Sequence, residues 1–166
     1  MYGPAPFYDE NTKNIPVSEF VDFAEKSGFS LYLPSVLPND LELKAIYLKE
    51  SPFIGLVVYS AEGNEDYQTA ELVFQITPAN PVPTLDELES EAKNSPYFSV
   101  STINGWLVFF MERASSGGNR EFREKYGDYT LVVRVWIDEL EYRINAPTLT
   151  TDELTQLIRN MELIGT

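Results

Sequence analysis

Residues 99–112 read SVSTINGWLVFFME, and within this stretch the chain turns back on itself. A two-residue turn of type I′ needs positive φ at both central positions, and Asn104-Gly105 tolerates this better than most pairs. The residues on both sides of it are largely β-branched and aromatic, which is typical of strands. The stretch therefore predicts an antiparallel hairpin and a sheet to which this hairpin belongs.

Further strands are predicted on either side of this hairpin. A second hairpin pairs Thr130–Ile137 with Glu141–Asn145, turning near Asp138-Glu139, and β-rich or alternating segments lie at 41–47, 53–60 and 72–77. Most connections are shorter than the crossover that parallel strands require. The sequence therefore predicts a curved antiparallel sheet of about 6–8 strands.

Two to three helices are predicted to pack on this sheet, which makes the fold class α+β. Residues 16–27 carry apolar side chains at helical spacing and end at Gly28. Capping boxes at 84–87 and 150–153, each a threonine followed three residues later by a glutamate, indicate two further helix starts. Residues 113–128 hold four basic side chains among acidic ones and are predicted to form a loop.

The predicted domain organisation is a tail or linker at 1–14 and a single α+β domain at 15–166. The tail is rich in Pro, Tyr and Asn and shows no apolar periodicity. The chain has 166 residues, of which 43% are apolar. That is enough for one packed core without disulfides or metals.

The composition excludes several functional classes. The chain has no histidine and no cysteine, so it has no imidazole base, thiolate nucleophile or His/Cys zinc site. Its net charge of −14 repels nucleic acid, which is therefore not an expected partner. We predict a non-enzymatic protein without cofactor or metal site. With 26 acidic residues, a carboxylate-based hydrolase stays as a lesser alternative.

The middle strands are apolar on both faces, whereas a sheet with one solvated face should alternate. The second face is therefore either covered or forms a groove. On the strand at 130–137, Val132, Arg134 and Trp136 share this second face, and Arg143 joins them if the two strands of the second hairpin pair. We predict that these four residues bind a protein partner or an apolar ligand. The alternative is that Trp136 is buried under a helix or the N-terminal tail and that Arg134 pairs with a carboxylate.

Several segments between residues 31 and 162 follow one another in a recognisable order: Leu33-Pro34, Leu37-Pro38, Gly55–Ser60, Ile103–Trp106, Trp136, Glu141–Ile144 and Leu154–Met161. This order resembles the family catalogued as domain of unknown function 4367. More distantly it is similar to lipoprotein-carrier-like half-barrels and periplasmic anti-sigma regulators. Members of that family often lie at the outer end of membrane-anchored bacterial and archaeal proteins. The resemblance implies an extracytoplasmic sensing or interaction module, and it supplies no catalytic residues.

The expected location follows from the resemblance, because the composition alone does not decide it. The lack of cysteine fits a reducing cytosol and also an exported protein that avoids thiol oxidation. No segment approaches the ~20 apolar residues that span a bilayer, so membrane attachment is expected only through an anchor outside this chain. The first interpretation is thus an extracytoplasmic binding module, and the second is an intracellular binding or structural protein.

Overall fold

The computed structural model describes residues 13–117 and 119–164, and these form an antiparallel sheet with helices on both faces. The α+β class and the antiparallel sheet are therefore confirmed. The strands are β1 Lys13–Asn14, β2 Tyr32–Pro34, β3 Glu42–Lys49, β4 Ile54–Ser60, β5 Leu72–Pro78, β6 Phe98–Ile103, β7 Trp106–Ser115, β8 Tyr129–Ile137, β9 Leu140–Asn145 and β10 Met161–Leu163. The helices are α1 Val17–Ser27, α2 Leu85–Ala92, α3 Arg120–Tyr126 and α4 Thr151–Arg159.

The main sheet has eight strands in the order β1-β3-β4-β5-β9-β8-β7-β6, and β2 pairs separately with β10. It consists of two meanders, β3–β5 and β6–β9. They join where β5 pairs with β9, at a register that places Gln75 opposite Arg143. The middle of the sheet is therefore built from strands that are far apart in sequence.

Both predicted hairpins are confirmed. Asn104 and Gly105 have φ of 56° and 81°, as a type I′ turn requires, and Ile103 pairs with Trp106. In the second hairpin Ile137 pairs with Leu140, and Asp138 has a φ of 56°. Because the second turn matches the prediction, the side chains of β8 and β9 also fall on the predicted faces.

The inner face of the sheet carries the larger core, which α1, α4 and the β2–β10 pair cover. Both capping boxes form, at the N-termini of α2 and α4. Gly55 allows α1 to approach closely, because a Cβ at that position would lie 2.9 Å from the Cζ atom of Phe20. Phe20 itself is fully buried. The inner face is thus closed by packed helices.

Two details of the predicted organisation are wrong. Residues 13 and 14 were predicted to belong to the tail but form β1, which pairs with β3, and the rest of the predicted tail lies outside the described residues. Residues 120–126 of the predicted loop form α3, which brings the helices of the described chain to four. The Asn119 side chain accepts a hydrogen bond from the Phe122 N–H at 3.1 Å and caps α3. Phe122 is buried, and this one anchor was hidden among the charged residues around it.

The part of the chain that the structure describes contains no helix that is both long and apolar enough to cross a membrane.

Candidate functional site

The outer face of the sheet, opposite α1 and α4, is covered in two separate places. Over β7 and β8, the α2 residue Leu88 packs into a cluster with Phe109 and Trp136. Over β4 and β5, the loop at 61–71 places Tyr67 against Leu56 and other apolar side chains of the sheet. We call these the α2 cover and the loop cover. Together they explain why the middle strands are apolar on both faces.

The loop cover is held in place by α3. The Tyr126 hydroxyl donates a hydrogen bond to the main-chain oxygen of Thr69 at 2.7 Å, and the Asn119 Nδ2 donates to the oxygen of Gln68 at 3.3 Å. Burial, followed by the nearby charges of Glu71 and Glu62, raises the pKa of Tyr126 above its ordinary value. Tyr126 therefore stays a neutral hydroxyl donor over the whole physiological range.

Glu71 ties the loop cover to the end of β4. Its two carboxylate oxygens accept hydrogen bonds from the Ser60 hydroxyl at 2.6 Å and the Ala61 N–H at 2.8 Å. Burial acts to raise the pKa of this carboxyl group, but these hydrogen bonds and the charge of Lys125 bring it below its ordinary value of 4.5. The charged form of Glu71 is therefore the one that the fold stabilises.

This lowered pKa predicts that Glu71 contributes a pH-dependent part of the stability. A group whose pKa is lower in the folded state stabilises fully above its unfolded pKa, and that contribution is lost as the pH falls through the folded pKa. We expect Glu71→Gln to lower the free energy of unfolding by about 1 kcal/mol at pH 7, because a carboxylate acceptor is lost. The difference from the unmodified chain should shrink steadily below about pH 4.5.

Urea denaturation at a series of pH values from 7 to about 3 measures this difference. Glu89→Gln, at an exposed position on α2, is the matched control and should follow the unmodified chain at every pH. A Glu71→Gln deficit that stays constant over the whole range would contradict a role for the charge.

Between the two covers, polar side chains cross the middle of the outer face. They stand on the three adjacent strands β5, β9 and β8, at the seam between the two meanders. The register places Arg143 between Gln75 and Arg134, and it places Glu141 between Thr77 and Trp136. We define the polar strip as Gln75, Thr77, Arg134, Glu141 and Arg143. All five side chains are half-buried.

Arg134 is fixed within the polar strip by two contacts. Its Nε and Nη2 donate to the two carboxylate oxygens of Glu141 at 3.2 and 3.0 Å, a bidentate ion pair. Its guanidinium carbon also lies 4.8 Å from the ring centre of Trp136. The side chains of Arg134 and Glu141 are 26% and 20% exposed, so the pair is partly shielded from water. The charge of Arg134 is therefore balanced within the fold by Glu141.

Arg143 has no such partner in the part of the chain that the structure describes. The structure gives its guanidinium no hydrogen bond or ion pair with any residue of 13–117 or 119–164, and it stands directly opposite Arg134 across the β8–β9 ladder. Like charges at directly opposed positions destabilise a sheet. The strip holds two guanidinium groups and one carboxylate, which leaves a net charge of +1 on the surface of a strongly acidic chain. Arg143 is thus an unbalanced cation beside the neutral amide of Gln75.

The structure brings together two of the four predicted site residues at this surface and buries the other two. Arg134 and Arg143 lie on the polar strip. Trp136 is 4% exposed beneath the α2 cover and Val132 is 3% exposed, so the prediction that these two line an open groove is wrong. The alternative stated from the sequence, a buried Trp136 beside an Arg134 that pairs with a carboxylate, describes this part of the sheet.

The sequence-based search missed Gln75, Thr77 and Glu141. A signal was present, because Gln75 and Thr77 alternate with the core residues of β5 and so fall on the outer face. Their proximity to Arg143 depends on the β5–β9 pairing, which joins segments far apart in the chain. No local pattern predicts that pairing.

Two cavities lie at the end of the sheet where β8 turns into β9. One of about 440 Å³ is lined by Phe29 and residues 78–82, and another of about 410 Å³ adjoins it at Phe29 and Glu139. Among the described residues, no group of three or more acidic side chains is arranged to hold a metal ion. Neither cavity gathers charged groups in the way that the polar strip does.

Comparison of the chain with protein-family models, with curated proteins and with solved structures finds no match.

Proposed function

We propose that this protein is a non-catalytic interaction module that holds a protein partner on the polar strip, with Arg143 receiving a carboxylate of that partner. The observation that carries the proposal is that Arg143 stands opposite Arg134 without an ion-pair partner among the described residues. Two adjacent guanidinium groups cost stability, and within the same residues a carboxylate pairs with only one of them. A partner carboxylate would balance the other, in the bidentate geometry for which a guanidinium group is suited.

A protein segment fits this surface better than an apolar ligand does. The apolar side chains of the outer face already lie under the α2 cover and the loop cover. The part left uncovered is narrow, polar and spans three strands, so it offers hydrogen-bonding groups in a row. The net charge of −14 opposes the approach of a strongly acidic chain, so the partner segment carries one or a few carboxylates.

An extracytoplasmic location is part of this proposal. It is supported by the resemblance to domains at the outer end of membrane-anchored proteins, and the absence of cysteine is compatible with it. The absence of histidine and cysteine also favours a binding role over catalysis.

The experiment that tests the binding role compares two peptides that differ in one charge. The probe is the acetylated and amidated pentapeptide Ser-Val-Glu-Val-Ser, and its control has Gln in place of Glu. We expect the Glu peptide to bind the unmodified protein in an NMR titration, and Arg143→Gln to weaken this binding by about tenfold, since a charge-assisted pair is lost. Equal affinity of the unmodified protein for the two peptides would contradict the proposal.

Arg159→Gln is the matched control for the protein, since it removes the same charge from an exposed position on α4. This variant should bind the Glu peptide as the unmodified chain does. Arg143→Gln should also leave the free energy of unfolding unchanged or slightly higher, because it removes the like-charge contact with Arg134. A loss of peptide binding in Arg143→Gln can then be attributed to the binding surface and not to unfolding.

A further inference from the structure

The two edges of the main sheet are built differently. At one edge, β1 pairs with the end of β3, and the exposed remainder of β3 carries Glu42 and Lys44 beside a β-bulge between Leu43 and Ala45. Short edge strands, charged side chains and bulges are the devices by which proteins prevent an edge from pairing with another chain. This edge is therefore protected.

The other edge, β6, has none of these devices. Its sequence is FSVSTI, without a charged residue or a proline, although 23% of the whole chain is charged. It pairs with β7 along its full length without a bulge, and no described strand lies on its other side. An uncharged, regular edge strand of six residues is a template on which a further strand can pair.

The hairpin turn determines which main-chain groups of β6 face away from the sheet. The residues next to a two-residue turn, Ile103 and Trp106, exchange both hydrogen bonds, and such pairs alternate along the ladder. The hydrogen bond from the Glu112 N–H to the Tyr97 oxygen, at 3.0 Å, continues this alternation. The main-chain groups of Val100 and Thr102 therefore point away from β7. The Phe98 N–H is taken by the Ser95 oxygen at 3.2 Å.

This edge is held rigid on both sides, which lowers the entropic cost of pairing. The Asn104 side chain donates to the main-chain oxygen of Arg159 at 3.1 Å and fixes the hairpin tip to α4. On the outer face, Leu88 of α2 packs into the same cluster as Phe98 and Val100. A strand that binds here would meet an edge that is already in the bound shape.

We propose that β6 is a second binding site, at which an extended segment of a partner protein adds a strand to the sheet and carries basic residues on its outer-face side. Helix α2 packs over β6 on the outer face and carries the exposed acids Asp86, Glu87, Glu89 and Glu91, opposed by Lys93, so their net charge is −3. Alternate side chains of an added strand would lie next to α2. A second copy of this chain fits poorly, because symmetric β6–β6 pairing would bring two acidic α2 helices together.

The probe is an acetylated and amidated hexapeptide of alternating lysine and valine, and its control has glutamate in place of lysine. We expect the lysine peptide to slow amide hydrogen exchange at Val100 and Thr102 by about tenfold or more, because these two N–H groups would become hydrogen-bonded. The glutamate peptide should give no protection. Non-specific attraction of a cationic peptide to the acidic chain would not single out these two amides.

Two proline variants report on the direction of the main-chain groups. Thr102→Pro removes an N–H that faces away from the sheet, so it should leave the unfolding midpoint within about 3 °C and abolish the protection of Val100. Ser101→Pro removes an N–H bonded to β7 and should lower the midpoint by about 10 °C. As a measurement that leaves the protein unchanged, the lysine peptide with N-methyl groups on all of its main-chain amides should give no protection, because it cannot pair with the edge in either direction.

Three results would overturn the proposal. The first is unchanged exchange at Val100 and Thr102 with millimolar lysine peptide. The second is equal protection by the lysine and glutamate peptides, which would show that the partner segment does not need basic residues. The third is protection that rises with protein concentration alone, together with a dimer in sedimentation, which would make a second copy the occupant. None of these results depends on Arg143, so the two binding sites are tested separately.

Discussion

Replacing Trp136 by alanine should lower the free energy of unfolding by about 3–5 kcal/mol, because the substitution leaves a large cavity under the α2 cover. The indole is 4% exposed and belongs to the cluster that Leu88 and Phe109 complete. The guanidinium of Arg134 would also lose the ring beneath it. Urea denaturation measures the loss, and amide hydrogen exchange of α2 should accelerate more than that of α4.

Trp106→Ala is the natural control, since the chain has two tryptophans and this one is only partly buried, against Tyr32. Trp106→Ala should lower the free energy of unfolding clearly less than Trp136→Ala does. A loss below about 1.5 kcal/mol for Trp136→Ala would contradict the anchoring role, because full burial of an indole is worth more than that. In that case Trp136 would again be a candidate binding residue.

Tyr67→Ala should have a similarly large effect, a loss of about 3–4 kcal/mol, because Tyr67 is the largest side chain that the loop cover buries. It is 2% exposed and packs against Leu56, Val58 and Val73. Without this ring the loop cover loses its main apolar contact with β4 and β5. The side of the polar strip next to Gln75 should then open to solvent.

Tyr129→Ala serves as control, since Tyr129 is 54% exposed and its ring packs against the Arg113 guanidinium, 4.1 Å away. It should cost no more than about 1 kcal/mol. A result in which Tyr67→Ala lowers the free energy of unfolding no more than this control does would contradict the expectation. It would mean that hydrogen bonds through Glu71 and α3, and not apolar packing, hold the loop cover in place.

Features encoded by neighbouring residues were predictable from the sequence. The turn at Asn104-Gly105 and both capping boxes follow from local backbone preferences, and the faces of Arg134 and Arg143 follow from the two-residue period of strands. The apolar second face indicated that this face is either covered or forms a groove, and the structure shows cover in two places. Each of these inferences needed only a short window of the chain.

Features that depend on distant contacts were not predictable in this way. The short apolar stripe of α2 does not indicate that Leu88 lies over Trp136. From the sequence alone, an open groove at Trp136 was therefore still possible. The polar strip exists because β5 pairs with β9, which brings Gln75 beside Arg143. α3 was missed because one buried residue, Phe122, anchors it among exposed charges.

The most direct test of the proposed function is to follow the Nε–Hε NMR signals of the arginine side chains while the Glu pentapeptide is added. If the polar strip binds the carboxylate, the Arg143 signal should shift and saturate, and the signals of Arg120 and Arg159 should stay in place. The Arg134 signal should move less, because its ion pair with Glu141 persists. An unmoved Arg143 signal, or saturable shifts confined to the exposed arginines, would contradict the proposal that Arg143 is kept free for a partner.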